Sequence, residues 1–199
     1  LAAARGGFTT VVAMPNTTPV IDTPEQVAYV MEVARSAGHA RVWTTAAITR
    51  GRGGVILAPL AELADAGAVA FTDDGCTVPT VGLMREAMQE ARRLDRPIMD
   101  HAQDSVLERQ GVMHEGKASR TAGLPGIPSH AEVSIVQRDV DLARETGCAV
   151  HIQHLTAAES LPIISVAKES GSRVTAEVTP HHLSLADVDI DPANADYKM

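Results

Sequence analysis

The 199-residue sequence is short of cysteine, of basic clusters and of long apolar runs, and each shortage closes off a class of function. Its two cysteines, Cys76 and Cys148, stand far apart, with no CxxC pair. A disulfide scaffold is therefore excluded, and reduced thiols in a cytosolic protein are the simple expectation. Lys and Arg total 17 against 25 Asp and Glu, a net charge of -8, and no cationic stripe gathers anywhere. No nucleic-acid partner is expected on that balance. An anionic small substrate stays open, because local cations or a metal override global charge. The longest apolar runs have strand length, too short to span a membrane, and no signal peptide is seen. No GxGxxG follows the first apolar run and no GxxxxGK[ST] occurs, which argues against dinucleotide and P-loop sites. Tandem repeats, low-complexity tracts and linkers are also missing. What is there is an ordinary globular composition, 45% hydrophobic and 21% charged, at a length that allows one domain with a sizeable core.

Short apolar, β-branched runs recur at Phe8–Met14, Val42–Ile48, Ala68–Thr72, Pro97–His101, Cys148–His154 and Arg173–Thr179. Most lack polar alternation, which predicts strands buried on both faces of a parallel sheet. Helical patterns lie between them. Thr23-Pro24-Glu25-Gln26 supplies an N-cap, a Pro at N1 and a Gln at N3 for a helix closed by Gly38. Pro59–Ala66 predicts a shorter helix and Val81–Leu94 a third. Ser129 with Glu132, and Thr156 with Glu159, read as capping boxes opening helices that end at Gly147 and Gly171. Gln103 to Pro128, rich in Gly, Pro and charge, is the one long irregular connection. Six strands alternating with five helices imply right-handed βαβ units, either an open doubly wound sheet or part of a (β/α)8 barrel. Leu1-Ala2-Ala3-Ala4-Arg5 reads as the tail of a helix already under way, and Tyr197-Lys198-Met199 stops without a cap, so the chain is expected to be a fragment.

Polar residues gather at one end of these strands, and in parallel α/β folds the C-terminal strand ends carry the active site. Asn16 follows the first strand, Asp73 and Asp74 end the third, and His101 ends the fourth. His151 and His154 lie late in the fifth, and Glu177, Thr179, His181 and His182 end the sixth. Four strands thus deliver an Asn, an Asp and two His to one rim. Imidazole and carboxylate donors suit zinc, a carboxylate can bridge two ions, and a metal in such a site activates water for attack on an amide carbonyl. Taken singly, each residue has a blander reading. Asp73-Asp74-Gly75 alone is more often a turn, and a lone strand-end His is usually structural or solvated. His151 and His154, three apart in a strand, point to opposite faces, so at most one reaches the rim easily, and His151 is expected to be packed or behind the ligands. His181 and His182 diverge in the same way. His39, His114 and His130 are expected on the surface, and no His partner is fixed near Cys76.

Longer motifs carry a resemblance. Gly6-Gly7-Phe8-Thr9-Thr10 leading to Met14-Pro15-Asn16-Thr17-Thr18-Pro19, Phe71-Thr72-Asp73-Asp74-Gly75, the segment around His101, His151-Ile152-Gln153-His154-Leu155-Thr156 and Thr175-Ala176-Glu177-Val178-Thr179-Pro180-His181-His182 together resemble the bacterial class I dihydroorotases over essentially all 199 residues. That resemblance implies a distorted TIM barrel of the amidohydrolase type, with residues 1–199 forming strands two to seven of a (β/α)8 barrel and lacking the first and last. It implies a cytoplasmic zinc enzyme, with one or two ions, that interconverts L-dihydroorotate and N-carbamoyl-L-aspartate in pyrimidine synthesis. Asp74 would be the carboxylate ligand, bridging if two ions bind. His101 and His154 would be the imidazole ligands of the second position, and Asn16 would contact the substrate carboxylate.

The resemblance places the family's HxH ligands before Leu1 and its catalytic Asp beyond Met199, so no catalytic acid–base residue is assigned and the chain alone is expected to be inactive. Gln103 stands where the family commonly has an acid. The partner expected is a small anionic substrate, with a homodimer or an aspartate transcarbamoylase complex left open. Two other readings compete: a dihydropyrimidinase or allantoinase, which usually bridges its metals with a carboxylated Lys, and a non-catalytic dihydroorotase-like subunit that scaffolds aspartate transcarbamoylase. The Asp-Asp-Gly turn argues against the first. The three visible ligand positions argue against the second.

Overall fold

Each apolar run becomes one stave of a parallel wall in the computed structural model, which describes residues 1–191 and 193–197. In chain order the elements are α1 (Ala2–Arg5), β1 (Thr10–Ala13), α2 (Pro24–Ala37), β2 (Arg41–Thr44), α3 (Leu60–Asp65), α4 (Val81–Arg93) and β3 (Ile98–Asp100). There follow α5 (Ser105–Glu108), β4 (Met113–His114), α6 (Lys117–Ala122), β5 (Gly126–Ile127), α7 (His130–Thr146), β6 (Val150–Ile152), α8 (Ser160–Glu169), β7 (Val174–Ala176) and α9 (Pro180–Ser184). Lys198 and Met199, part of the uncapped end noted in the sequence, lie outside the described residues.

β1 pairs with β2, and β3 with β6 and then β7, all parallel. The third expected strand is not a full ladder. It joins the two sheets through single bridges, Ala46 to Phe71 and Phe71 to Ile98. Its hydrogen bonds are still those of a wall: Val69 N–H to the Thr44 carbonyl at 3.0 Å, Thr72 N–H to Ala46 at 2.9 Å, and Phe71 N–H to Pro97 at 3.1 Å. On the Ile98 side the ladder is interrupted because Pro97 has no N–H to give. The spatial order is therefore that of the chain, six parallel staves with helices between.

Helices cover one face of this wall. α4 packs on α7 and α7 on α8. Beneath them lie Phe71, Ile48, Leu63, Met84, Met88, Ile98 and Ile152, all fully buried. The N-terminal cap of α2 is as its sequence predicts: the Gln26 side chain accepts from the Thr23 N–H at 3.0 Å, and Gly38 closes the helix at φ 64°. The expectation of strands buried on both faces is not met. β7 is buried only at Val174, and Val12 and Trp43, paired in the β1–β2 register, are about 40% exposed. The face away from the helices is only partly filled among the described residues, so apolar residues there remain wet.

The connection from Gln103 to Pro128 also differs from expectation. It holds the short helices α5 and α6 and a two-stranded parallel ladder, β4 with β5. Its tight packing needs glycine: a Cβ on Gly126 would lie 2.5 Å from Glu115 Cα, and one on Gly111 2.9 Å from the Gly126 backbone.

The cysteines separate clearly. Cys148 is buried and Cys76 exposed, both unbridged. Burial pushes the Cys148 thiol up to about 11. Because the thiolate is the nucleophile, iodoacetamide at mildly alkaline pH is expected to modify Cys76 in the native protein and Cys148 only after denaturation. Mass spectrometry of the two peptides checks this, and equal labelling of both in the native state would contradict it.

Candidate metal site

Three strand ends bring donor atoms to one point. A carboxylate oxygen of Asp74 and one ring nitrogen each from His101 and His154 all lie within 4.8 Å of one another. The two imidazoles meet edge to face, with centroids 4.7 Å apart and His101 Nδ1 2.9 Å from His154 Nε2. Burial, followed by the neighbouring His154, pushes His101 below the usual imidazole range, so its ring favours the neutral form that ligates metals. Asn16, exposed at the mouth, donates its amide N–H to Asp74 Oδ2 at 2.7 Å. The structure thus brings all four candidate residues together, with Asn16 against the carboxylate.

The donor set fits a divalent metal. Zinc takes His nitrogen and Asp oxygen at about 2.0–2.2 Å, which puts ligand atoms of one tetrahedral ion about 3.4 Å apart. The spacing of the three side chains accommodates that without rebuilding the backbone.

Each donor reaches the cluster through a local device. Asp73 and Asp74 diverge at the end of the third stave. Asp73 is buried and accepts from Ile48 N at 2.8 Å, Thr49 N at 3.0 Å and the Thr49 hydroxyl, so it ties down the neighbouring loop. Asp74 is left to face the site. Arg52, from that same loop, donates to the Asp73 and Asp74 carbonyls and holds the turn from outside. His154 arrives by a turn. Simple alternation would send it with Val150 and Ile152 to the helix side, but β6 ends at Ile152 and His154 has φ +33°. Such a left-handed conformation is uncommon outside Gly and persists only where the surroundings over-determine it.

His151 takes the other side of the sheet, as the alternation argument expects. Its Nδ1 lies 2.8 Å from Thr175 Oγ1 and its Nε2 3.3 Å from Glu177 Oε2, away from the cluster. His182, in the first turn of α9, is half-buried, whereas His39, His114, His130 and His181 are exposed.

Two capping boxes expected from the sequence do not form. Ser129 makes no side-chain cap, and α8 begins behind Glu159 without one. The Glu132 carboxylate instead crosses from α7 to the loop after β6. It accepts from Thr156 N at 2.8 Å, Thr156 Oγ1 at 2.6 Å, Ala157 N at 3.1 Å and Ser160 Oγ at 2.7 Å. One side chain thus satisfies the donors at the head of α8 and fixes the loop that follows His154. Local spacing alone points Glu132 at its own helix, so this role was hidden. Glu132→Ala should cost on the order of 3 kcal/mol, since hydrogen bonds to a charged group contribute about 1.5–3 kcal/mol and are not additive. Urea unfolding measures it, and a loss below about 0.5 kcal/mol would contradict the strap.

Comparison with known proteins follows the same lines. Residues 1–160 match the family model described as "Dihydro-orotase-like". A protein named dihydroorotase from Geobacillus sp. (strain WCH70) is 50% identical over all 199 residues, which span 47% of its length. One of the same name from Geobacillus thermodenitrificans (strain NG80-2) is 48% identical over 100% of the chain and 46% of its own length. The chain therefore spans about half the length of the curated relatives it matches. The L-hydantoinase (dihydropyrimidinase) structure from Arthrobacter aurescens superposes on 94% of the chain and 43% of its own with a TM-score of 0.74, at 22% identity, a likeness of fold.

Proposed function

The chain belongs to the dihydro-orotase-like family, and from that premise we propose that the whole protein is a metal-dependent cyclic-amide hydrolase. Its substrate pair on this reading is L-dihydroorotate and N-carbamoyl-L-aspartate, a step of pyrimidine synthesis in the cytoplasm. The observation that carries the proposal is the meeting of Asp74, His101 and His154 within 4.8 Å. Relatives named dihydroorotase that match end to end along the chain support it. The six staves take the place of strands two to seven of a (β/α)8 barrel on the same reading.

Asp74, His101 and His154 would hold zinc, as one ion or as part of a pair bridged by Asp74. When bound, zinc supplies Lewis-acid chemistry, activating water and polarising the amide carbonyl. The protein's own groups prepare the site. The lowered His101 keeps a lone pair available. Asn16 orients the Asp74 carboxylate with one amide N–H, and its second N–H is left for a substrate carboxylate.

The test is turnover by the zinc-loaded whole protein of L-dihydroorotate against dihydrouracil and hydantoin. Chelator-sensitive hydrolysis of dihydroorotate with a clear preference over the two uncharged rings is expected. Equal turnover of dihydrouracil would remove the carboxylate from recognition. Asn16→Ala should raise KM about tenfold or more and change kcat less, because a hydrogen bond to a charged group is worth about 1.5–3 kcal/mol and this one exists in ground and transition states alike. A collapse of kcat at unchanged KM would assign Asn16 another role.

A further inference from the structure

We propose that Gln153 is a positioning residue which, through Thr72 and Met14, locks the turn carrying Asp74 to the turn carrying His154. The inference rests on the reading of that cluster as a metal site. Gln153 is the buried residue immediately before His154, and Thr72 is the fully buried residue two before Asp74. The Thr72 hydroxyl donates to Gln153 Oε1 at 3.0 Å and accepts the Asp74 backbone N–H at 3.1 Å. A hydroxyl has one proton. Spending it on Gln153 aims a lone pair at Asp74, so the string has one direction. At the other end Gln153 donates its amide to Met14 Sδ at 3.4 Å, two residues before Asn16. Its backbone N–H is anchored on the Asp100 carbonyl at 3.0 Å, beside His101. One residue, by its side chain and its backbone N–H, therefore touches the approach to every residue of the site.

Stability alone does not call for an amide here. A thioether sulfur is a weak acceptor, and replacing both members of a buried hydrogen-bonded pair by apolar groups of the same shape can be nearly neutral. The polar string earns its place by direction. It fixes the Asp74 main chain on one side of the cluster and the strained His154 turn on the other. The Glu132 strap and the bond from Leu155 N to the Glu177 carbonyl at 2.8 Å close that turn from the far side.

The test compares the whole protein with the double variant Thr72→Val/Gln153→Leu and with Thr72→Ser. Three quantities are read: melting temperature, zinc affinity by chelator competition, and hydrogen exchange of the Asp74 amide in the metal-free protein. The double variant is expected to melt slightly below the wild type, because the Asp74 N–H loses its acceptor, to bind zinc about 10–100-fold more weakly, the usual cost of losing a partner that orients a ligand, and to exchange the Asp74 amide faster. Thr72→Ser, which keeps the hydroxyl, should match the wild type in all three. A packing role would give the opposite order, with Val tolerated and Ser not. Unchanged zinc affinity in the double variant overturns the proposal. If the wild type bound no zinc, the metal reading of the cluster would fall. The Asp74 exchange rate would then decide the lock by itself, and an unchanged rate would remove it.

Discussion

Asp74→Ala in the whole protein is expected to lower kcat/KM by more than about 100-fold, the upper end of what losing an outer-shell partner costs, while leaving the melting temperature close to wild type. Asp73→Ala, one residue away, should do the reverse. Asp74 is half-exposed, and among the described residues its side chain accepts a hydrogen bond from Asn16 alone. Asp73 is 1% exposed and receives three hydrogen bonds from Ile48 and Thr49. Burial pushes its carboxyl above the usual range, with the Thr49 and Ile48 donors pulling back. Removing that carboxylate strands three donors, each costing about 1–3 kcal/mol when left unsatisfied, so a destabilisation on the order of 3 kcal/mol or more is expected. Steady-state kinetics and urea unfolding on the two variants separate the roles. Equal activity losses at equal stability would contradict the division of labour.

Arg138→Leu should be the most destabilising single change in the helix layer, about 3–5 kcal/mol, the range seen when one partner of a buried ion pair is removed. Arg138 lies behind β3 with its side chain 10% exposed, between the fully buried Asp100 and Asp139. Its guanidinium donates to Asp139 Oδ1 at 2.8 Å, Asp100 Oδ2 at 3.2 Å, Thr77 Oγ1 at 3.0 Å and the Val78 carbonyl at 2.6 Å. One cation serves two carboxylates. Burial pushes both carboxyls up, Asp100 further because the facing Asp139 adds to it, so the pair is expected to carry one proton, on the Asp100 side, leaving Arg138 one anionic partner. Without Arg138 the anionic Asp139 loses its counter-charge and Asp100 loses a donor, both in a dry site. Asp100→Asn, by contrast, copies the protonated acid and should stay within about 1 kcal/mol of wild type, because it leaves the Arg138–Asp139 pair intact. Chemical denaturation of both variants measures this. A mild Arg138→Leu together with a severe Asp100→Asn would reverse the assignment of charge.

The parallel order of the staves was legible because each apolar run is bounded by turn chemistry and separated from the next by a capped helix. The Thr23–Gln26 cap and the Gly38 and Gly147 stops are local, and local signals survive folding. The rim was legible for a related reason: Asn16, Asp74, His101 and His154 each stand just past a strand, and parallel strands put those ends together. What sequence spacing could not show is anything that depends on a partner far along the chain. Glu132 looks like a cap for its own helix and serves another. Gln153 sits between two conspicuous histidines, and its bond to Thr72, 81 residues away, leaves no trace in local spacing. The face of His154 was beyond period-two reasoning, since its positive φ ends the alternation at that point.

On the proposed reading the Asp74, His101 and His154 side chains hold metal. Zinc content after dialysis, measured by mass spectrometry on the whole protein and on the His101→Ala/His154→Ala double variant, tests it most directly. At least one equivalent of zinc should be lost from the double variant while circular dichroism shows the fold retained. A double variant that keeps the full wild-type zinc content would show that the metal is held elsewhere.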